Sequence, residues 1–214
     1  MIPDSHPYWH LRAIIERFAE VAAVPFSYYE YTPRTVEDRR SSLIMPVEQF
    51  LDEAEVYRAM NDAGKRRELA VHSDLLMCDG RRLHLTMVDM STSARAHLEK
   101  LRGFLGDNVF QRIAWYASGR SFHGYGESLL ERDEWVKFMG LLLLANQPRL
   151  ELTVDPRWIG HRLLAGYASL RWTCNTPYYL KLPRSIEVIG RTGVGQQEIG
   201  PIGKSLQKTV KRLR

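Results

Sequence analysis

Residues 68–90 place the strongest constraint on how this chain folds. In ELAVHSDLLMCDGRRLHLTMVDM two β-prone runs flank Asp79 and Gly80, and a Gly there supplies the positive φ that a tight hairpin turn needs. The segment therefore predicts a strand pair whose second strand ends on Asp89. The next stretch, STSARAHLEKLRGFLGDN, has a Ser/Thr cap region and helical spacing at Ala94, Leu98, Leu101 and Leu105. FQRIAWYASGRSFHGYGES then predicts a second hairpin around Ser118, Gly119 and Arg120. ERDEWVKFMGLLLLAN follows as a helix, and RLELTVD as a strand ending on Asp155. A helical or looped PRWIGHRLLAGYA leads to SLRWTCNTPYYLKL, read as strand and turn.

Upstream, Leu11, Ile14, Ile15, Phe18 and Val21 are spaced as on one helix face, which Pro25 is expected to close. PVEQFLDEAEVYRAMNDAGKRREL reads as a second helix, while the aromatic stretch between them has no firm assignment. Strand pair, helix, strand pair, helix, strand, connection and strand together argue for a mixed α/β or α+β domain around a substantial sheet. The expected division is a domain over residues 1–190, with a helical part over about 1–65 and a core over about 66–190. Residues 191–214 are expected to form a Gly-rich, basic tail.

With 214 residues, 44% of them hydrophobic, the chain can bury a sizeable core. Its longest apolar run, GLLLLA, falls far short of the roughly 20 residues a membrane-spanning helix needs, so no membrane partner is expected. The N-terminus lacks the basic start and apolar stretch of an export signal. Cys78 and Cys174 give neither a disulfide framework nor a zinc spacing, which fits a reducing cytoplasm. The net charge of +5 permits a polyanionic partner. The final segment PIGKSLQKTVKRLR concentrates positive charge at Lys204, Lys208, Lys211, Arg212 and Arg214, a candidate nucleic-acid-binding tail or simply a solvated end.

Asp89 and Asp155 each close an apolar β-like run. A carboxylate at a strand end is held rigidly enough to ligate a divalent cation, and it is equally well placed to cap the helix that follows. His123 lies 34 residues after Asp89 and 32 before Asp155, a spacing that lets three strand ends converge on one face. Ser121 stands two residues before it, in SGRSFHGY.

These stretches resemble the archaeo-eukaryotic primase superfamily of small primase subunits, primase-polymerases and plasmid replication primases. The first motif of that superfamily is a strand ending in Asp-x-Asp or Asp-x-Glu, matched by MVDMS at Asp89. Its second is Ser-x-His in a small hairpin, matched by Ser121 and His123, and its third is a hydrophobic residue followed by Asp, matched by TVD at Asp155. LRWTCNTPYYLKLP looks like the Arg-bearing strand and Asn-containing turn that follow. The resemblance spans roughly residues 70–185.

It implies a catalytic core with a central, mainly antiparallel sheet flanked by helices, and nucleotidyl transfer to an attacking 3′-hydroxyl in which carboxylates hold two divalent cations. Asp89 and Asp155 would be ligands to Mg2+ or Mn2+, with His123, Ser121, Arg120, Arg162 and Arg171 contacting the nucleotide. The implied partners are single-stranded DNA template, nucleoside triphosphates and replication proteins such as a helicase, in plasmid, phage or mobile-element replication. Tyr125 and Trp172 are candidates for base stacking, with packing the better reading. The chain departs from the pattern at Ser91, where the first motif usually carries its second carboxylate. Asp74 and Glu151 are the candidates to replace it. Two alternatives stay open, a degenerate member that binds nucleic acid without polymerising, and a small α+β interaction protein whose motifs match by chance.

Other constellations fare worse. GRTGVGQQ lacks the Lys-Ser/Thr of a phosphate-cradling loop. His72 and His84 face one another across the expected hairpin and could pair. Ser121, His123 and Asp155 cannot form a hydrolase triad, because a nucleophile and base two apart on one strand lack the required geometry.

Overall fold

Among the described residues, strands drawn from between Val21 and Ser185 are gathered into one antiparallel sheet of nine strands. The computed structural model describes residues 1–32, 35–179 and 181–188. In chain order the elements are α1 (Pro7–Ile15), β1 (Val21–Tyr29), β2 (Arg40–Pro46), α2 (Val47–Leu51), α3 (Glu53–Asp62), β3 (Glu68–His72), β4 (Asp74–Met77) and β5 (Arg82–Asp89). They continue with α4 (Arg95–Leu105), α5 (Asp107–Phe110), β6 (Ile113–Ala117), β7 (Phe122–Leu130), α6 (Arg132–Leu144), α7 (Pro156–Ala165), β8 (Ser169–Arg171) and β9 (Arg184–Ser185). The strand order is β8-β3-β1-β4-β5-β7-β6-β9, with β2 also paired to β1. Helices α1 and α6 pack on β7, α6 also on β5, α2 on β1 and α3 on β3. The expected α+β class with a mainly antiparallel sheet flanked by helices is therefore the observed one.

Both hairpins form where the sequence put them, and several neighbouring elements differ. Residues 1–65 were read as helical, yet they also contain β1 and β2. Helix α1 ends at Ile15, and Pro25 sits inside β1 instead of closing the helix. Every β1 residue from Ala23 to Tyr29 pairs with β2, so β4 and β3 share its other edge, β4 reaching Ala23 and β3 starting at Phe26. Pro25, with no N–H to donate, falls in the gap between them. The run read as one strand through Ser73 breaks there into β3 and β4. The second helix likewise breaks at Asp52, whose side chain accepts from the Ala54 N–H and caps α3.

RLELTVD does not form a strand. Its only ladder contact is a single bridge between Val154 and Met90. The Asn146 side chain takes the polar groups that a ladder would use, accepting from the Thr153 and Val154 N–H groups and donating to the Val154 carbonyl.

A bulge shapes the pairing of β7, the strand that carries His123, with β5. Leu85 pairs with Leu129 and Met87 with Tyr125, which leaves residues 126–128 opposite Thr86. A Cβ on Gly126 would lie 1.7 Å from Thr86 Oγ1, so the second Gly of HGYG lets β7 close against β5. Tyr125 and Trp172 are packing residues, 1% and 0% exposed, and Trp172 lies edge-on to Phe26.

His72 and His84 do not pair. Asp74 is the residue opposite His84 in the ladder. His72 stacks on Tyr167 and bonds Ser27, whereas His84 stacks on Trp135. Burial holds His6 and His84 neutral with pKa values lowered to about 4, and His72 to about 3. Unfolding returns each to the ordinary range near 6.5, so between that pH and about 4 the unfolded chain binds more protons. Their stabilising contribution is complete above about pH 6.5 and is lost as pH falls through the folded values. The melting temperature is expected to drop between pH 7 and pH 4.5, the three imidazoles together outweighing the opposite trend of one buried carboxyl, that of Asp89; a flat profile in an Asp89→Asn variant, which lacks that carboxyl, would show that these imidazoles are not buried neutral.

Among the described residues no helix is long and apolar enough to cross a membrane. The basic tail residues Lys204, Lys208, Lys211, Arg212 and Arg214, and the Gly-rich GRTGVGQQ, lie outside the described residues.

Candidate active site

Three neighbouring chain segments bring Asp89, His123 and Asp155 together. Asp89 ends β5 and stands opposite His123 of β7 in the ladder. Beyond β5 the chain runs antiparallel to residues 153–155, where the Asp155 N–H donates to the Asp89 carbonyl at 2.9 Å and the Ser91 N–H to Thr153 at 3.1 Å. The side chains follow this register. His123 Nε2 lies 3.7 Å from Asp89 Oδ1, and Ser121 Oγ lies 3.5 Å from the same oxygen. These residues line a cleft of about 800 Å³ with Ser91, Arg120, Arg162 and Arg171, a volume in the range of small-molecule sites.

Asp155 also does what a helix cap does. Its Oδ1 accepts from the Arg157 and Trp158 N–H groups, and Pro156 follows at the first position of α7. The two readings of this residue are thus compatible, because one oxygen serves the helix while the side chain borders the cleft.

Burial, and then the like charge of Asp155, raise the Asp89 pKa to about 8, although Arg171 and the Ser121 hydroxyl pull it down. His123 is pushed the other way by burial and by Arg171, and stays neutral. Its Nδ1 is sealed in the interior without a hydrogen-bond partner, so Nε2 is the ring nitrogen that faces the cleft.

A divalent cation fits this donor set in one respect and not in another. Two close carboxylates, one of them costly to ionise, suit a hard cation that binds through one or two carboxylates and fills its remaining positions with water and phosphate oxygens. A second cation would need further anionic ligands. Among the described residues no group of three or more His, Cys, Asp or Glu side chains is arranged to hold a metal. Ser91 borders the cleft with a neutral hydroxyl. Asp74 does not supply the missing oxygen, because it lies away from the cleft and pairs with Arg82 at 2.6 Å. Nor does Glu151, which is exposed beside His97.

The three arginines differ in what their guanidinium groups already hold. Arg120 is exposed on the β6–β7 turn and makes no side-chain bond to another described residue. Arg162, 2% exposed, donates to Ser169 and is closely paired with Asp38. Arg171 donates to the carbonyls of Ser118, Thr173 and Lys181 and lies 4.2 Å over the Tyr179 ring. It ties the Ser-x-His turn to the 172–181 segment, and its charge reaches both Asp89 and His123.

Sequence reasoning missed one wall of the cleft. Asp38 sits between Arg40 and Arg162, and Tyr29, Tyr31, Tyr178 and Tyr179 line the same cavity. Glu68 organises part of this wall from underneath. Fully buried, its carboxylate accepts from the Thr173 hydroxyl, the Asn175 N–H, and both the N–H and hydroxyl of Thr176. The signal available in the sequence was the clustering of Tyr in SYYEYTP and TPYYLK.

The family model described as AEP-like, archaeo-eukaryotic primase 1D-like, matches residues 47–184. The chain belongs to this family. The matched segment contains Asp89, Ser121, His123, Asp155, Arg162 and Arg171, while β1 and the loop carrying Asp38 precede it. Among solved structures, the AEP domain of the cyanophage S-2L primase-polymerase (PrimPol) is similar in fold, with a TM-score of 0.54 and 12% identity over 96% of this chain and 97% of that one. A comparison of the sequence with curated proteins gives no match. Membership supports a primase- or polymerase-like function for the chain.

Proposed function

We propose that the chain is a nucleotidyltransferase that extends or initiates a strand on a single-stranded DNA template, using nucleoside triphosphates and Mg2+ or Mn2+. The observation that carries this reading is the convergence of Asp89, Asp155, Ser121 and His123 on one cleft in a chain of this family.

Asp89 and Asp155 are the residues that would hold the cation. When bound, it supplies Lewis acidity to the triphosphate and lowers the pKa of the attacking 3′-hydroxyl. The chain's own groups then have separable tasks. His123, held neutral and with Nε2 toward the cleft, donates a hydrogen bond to a phosphate oxygen without carrying a buried charge. Ser121 is held by the Ser118 hydroxyl at 2.9 Å, and its one proton, directed at Asp89 Oδ1 at 3.5 Å, would turn to the same phosphate group once that carboxylate holds a cation. Arg120 is the cleft arginine with its fork uncommitted, and guanidinium forks match phosphate oxygens. Arg171 and Arg162 act mainly through position and field, since their donors are already engaged.

The test is incorporation of labelled nucleotides by the full chain on primed and unprimed single-stranded DNA, with Mn2+, Mg2+ or chelator. The expected result is template-dependent product that disappears with chelator. A second reading, a nucleic-acid-binding replication accessory without catalysis, is favoured by Ser91 standing where a carboxylate is expected. It requires no product under any condition and nucleotide affinity that does not change with metal.

A further inference from the structure

We infer that Tyr31 and Tyr178 form a stacking platform for a nucleobase at the mouth of the cleft. The inference rests on the function proposed above and specifies where one base of its ligands is held.

Four tyrosines line this wall, and they are not equivalent. Tyr29 is buried. Tyr179 has one face covered by the Arg171 guanidinium at 4.2 Å. Its pKa is pushed up to about 12, first by burial, and its hydroxyl is bonded to Tyr29. These two belong to the wall's interior. Tyr31 and Tyr178 remain 38% and 48% exposed although they meet at 5.3 Å and 71°. Edge-to-face packing at that angle uses at most one face of each ring, and an aromatic ring held by its neighbour loses little freedom when a base stacks on it.

Both supporting segments are fixed from outside the pair. Tyr178 follows the Asn175–Thr176 turn that Glu68 holds, and Tyr31 stands two residues past the end of β1 and packs at 5.7 Å on Tyr179. Lys181 lines the same cleft, so one cleft offers both an aromatic surface and a cation, the combination that single-stranded nucleic acid uses for base and backbone. Tyr31 lies before the segment that the family model matches, so this half of the platform comes from a part of the chain outside that match.

A base of the template strand and the base of the incoming nucleotide share this chemistry, and the test separates them. Binding is measured for the full chain and for Tyr31→Ala, Tyr178→Ala and Tyr178→Phe, each checked for unchanged circular dichroism. Four probes are used: a single-stranded oligonucleotide, an abasic oligonucleotide of equal length, GTP, and tripolyphosphate. Each Ala variant is expected to lose about tenfold affinity for the oligonucleotide or for GTP, whichever base stacks there. Affinity for the abasic oligonucleotide and tripolyphosphate should stay unchanged, and Tyr178→Phe should bind as wild type. Equal affinities for all variants across all four probes overturn the platform while leaving the proposed function standing. A wild-type chain that binds none of the probes overturns the proposed function and the platform with it.

Discussion

Replacing Asp89 with Asn is expected to lower template-dependent incorporation by at least about a hundredfold while leaving the protein folded. A cation held at a reacting phosphate contributes several kcal/mol of transition-state stabilisation, and each 1.36 kcal/mol is tenfold in rate. The fold should survive because the carboxylate is held against its own preference. Its pKa is raised from 3.8 to about 8, so between those values the folded chain keeps a proton that the unfolded chain has released, and stability falls as pH rises through that window. Asn removes the slope, and the variant is expected to melt no lower than wild type at pH 8. The partner substitution should be Asp155→Asn and not Ala. Asp155 Oδ1 caps α7, and losing a cap costs about 1 kcal/mol, which would mix a stability effect with a catalytic one. Incorporation rates and melting temperatures measured together check both halves. Full activity in either variant would remove that aspartate from the site.

The largest effect on stability is expected at Glu68, which sequence reasoning passed over. Its buried carboxylate accepts from four donors on Thr173, Asn175 and Thr176. Glu68→Ala strands them, at about 1–3 kcal/mol for each buried donor left unsatisfied. A net loss of about 4 kcal/mol is a large part of the 5–15 kcal/mol typical of a whole domain, and corresponds to a melting temperature lower by about 10 °C. The same turn carries Tyr178 and Tyr179 into the cleft, so at temperatures where the variant remains folded its nucleotide affinity should also fall. Thermal denaturation decides it: a decrease below about 2 °C would mean that Glu68 does not anchor the turn.

The legible parts of this chain were those set by short-range pattern. Asp79 and Gly80 marked the β4–β5 hairpin, Ser118, Gly119 and Arg120 marked the Ser-x-His hairpin, and apolar runs closing on Asp marked two corners of the site. Non-local choices stayed hidden. Nothing in VAAVPFSYY announces a strand that pairs with three others, or that Pro25 falls where one edge has no partner. LELTV alternates as a strand should, yet the Asn146 side chain claims its backbone groups and leaves Leu150 and Leu152 exposed. Arg162 and Arg171 were read by residue type as phosphate contacts. What each guanidinium already holds depends on Asp38, 124 residues from Arg162, and on the Ser118 carbonyl, 53 residues from Arg171. The aromatic wall was missed because loop tyrosines carry no periodicity to read.

The most direct test of the central claim is a crystal structure of the chain soaked with Mn2+ and a non-hydrolysable nucleoside triphosphate. The account predicts a cation bound by both Asp89 and Asp155, with triphosphate oxygens among its ligands and a phosphate within hydrogen-bond distance of His123 Nε2. A nucleotide bound elsewhere, or a cleft that takes up nucleotide with no metal at these two carboxylates, would contradict it.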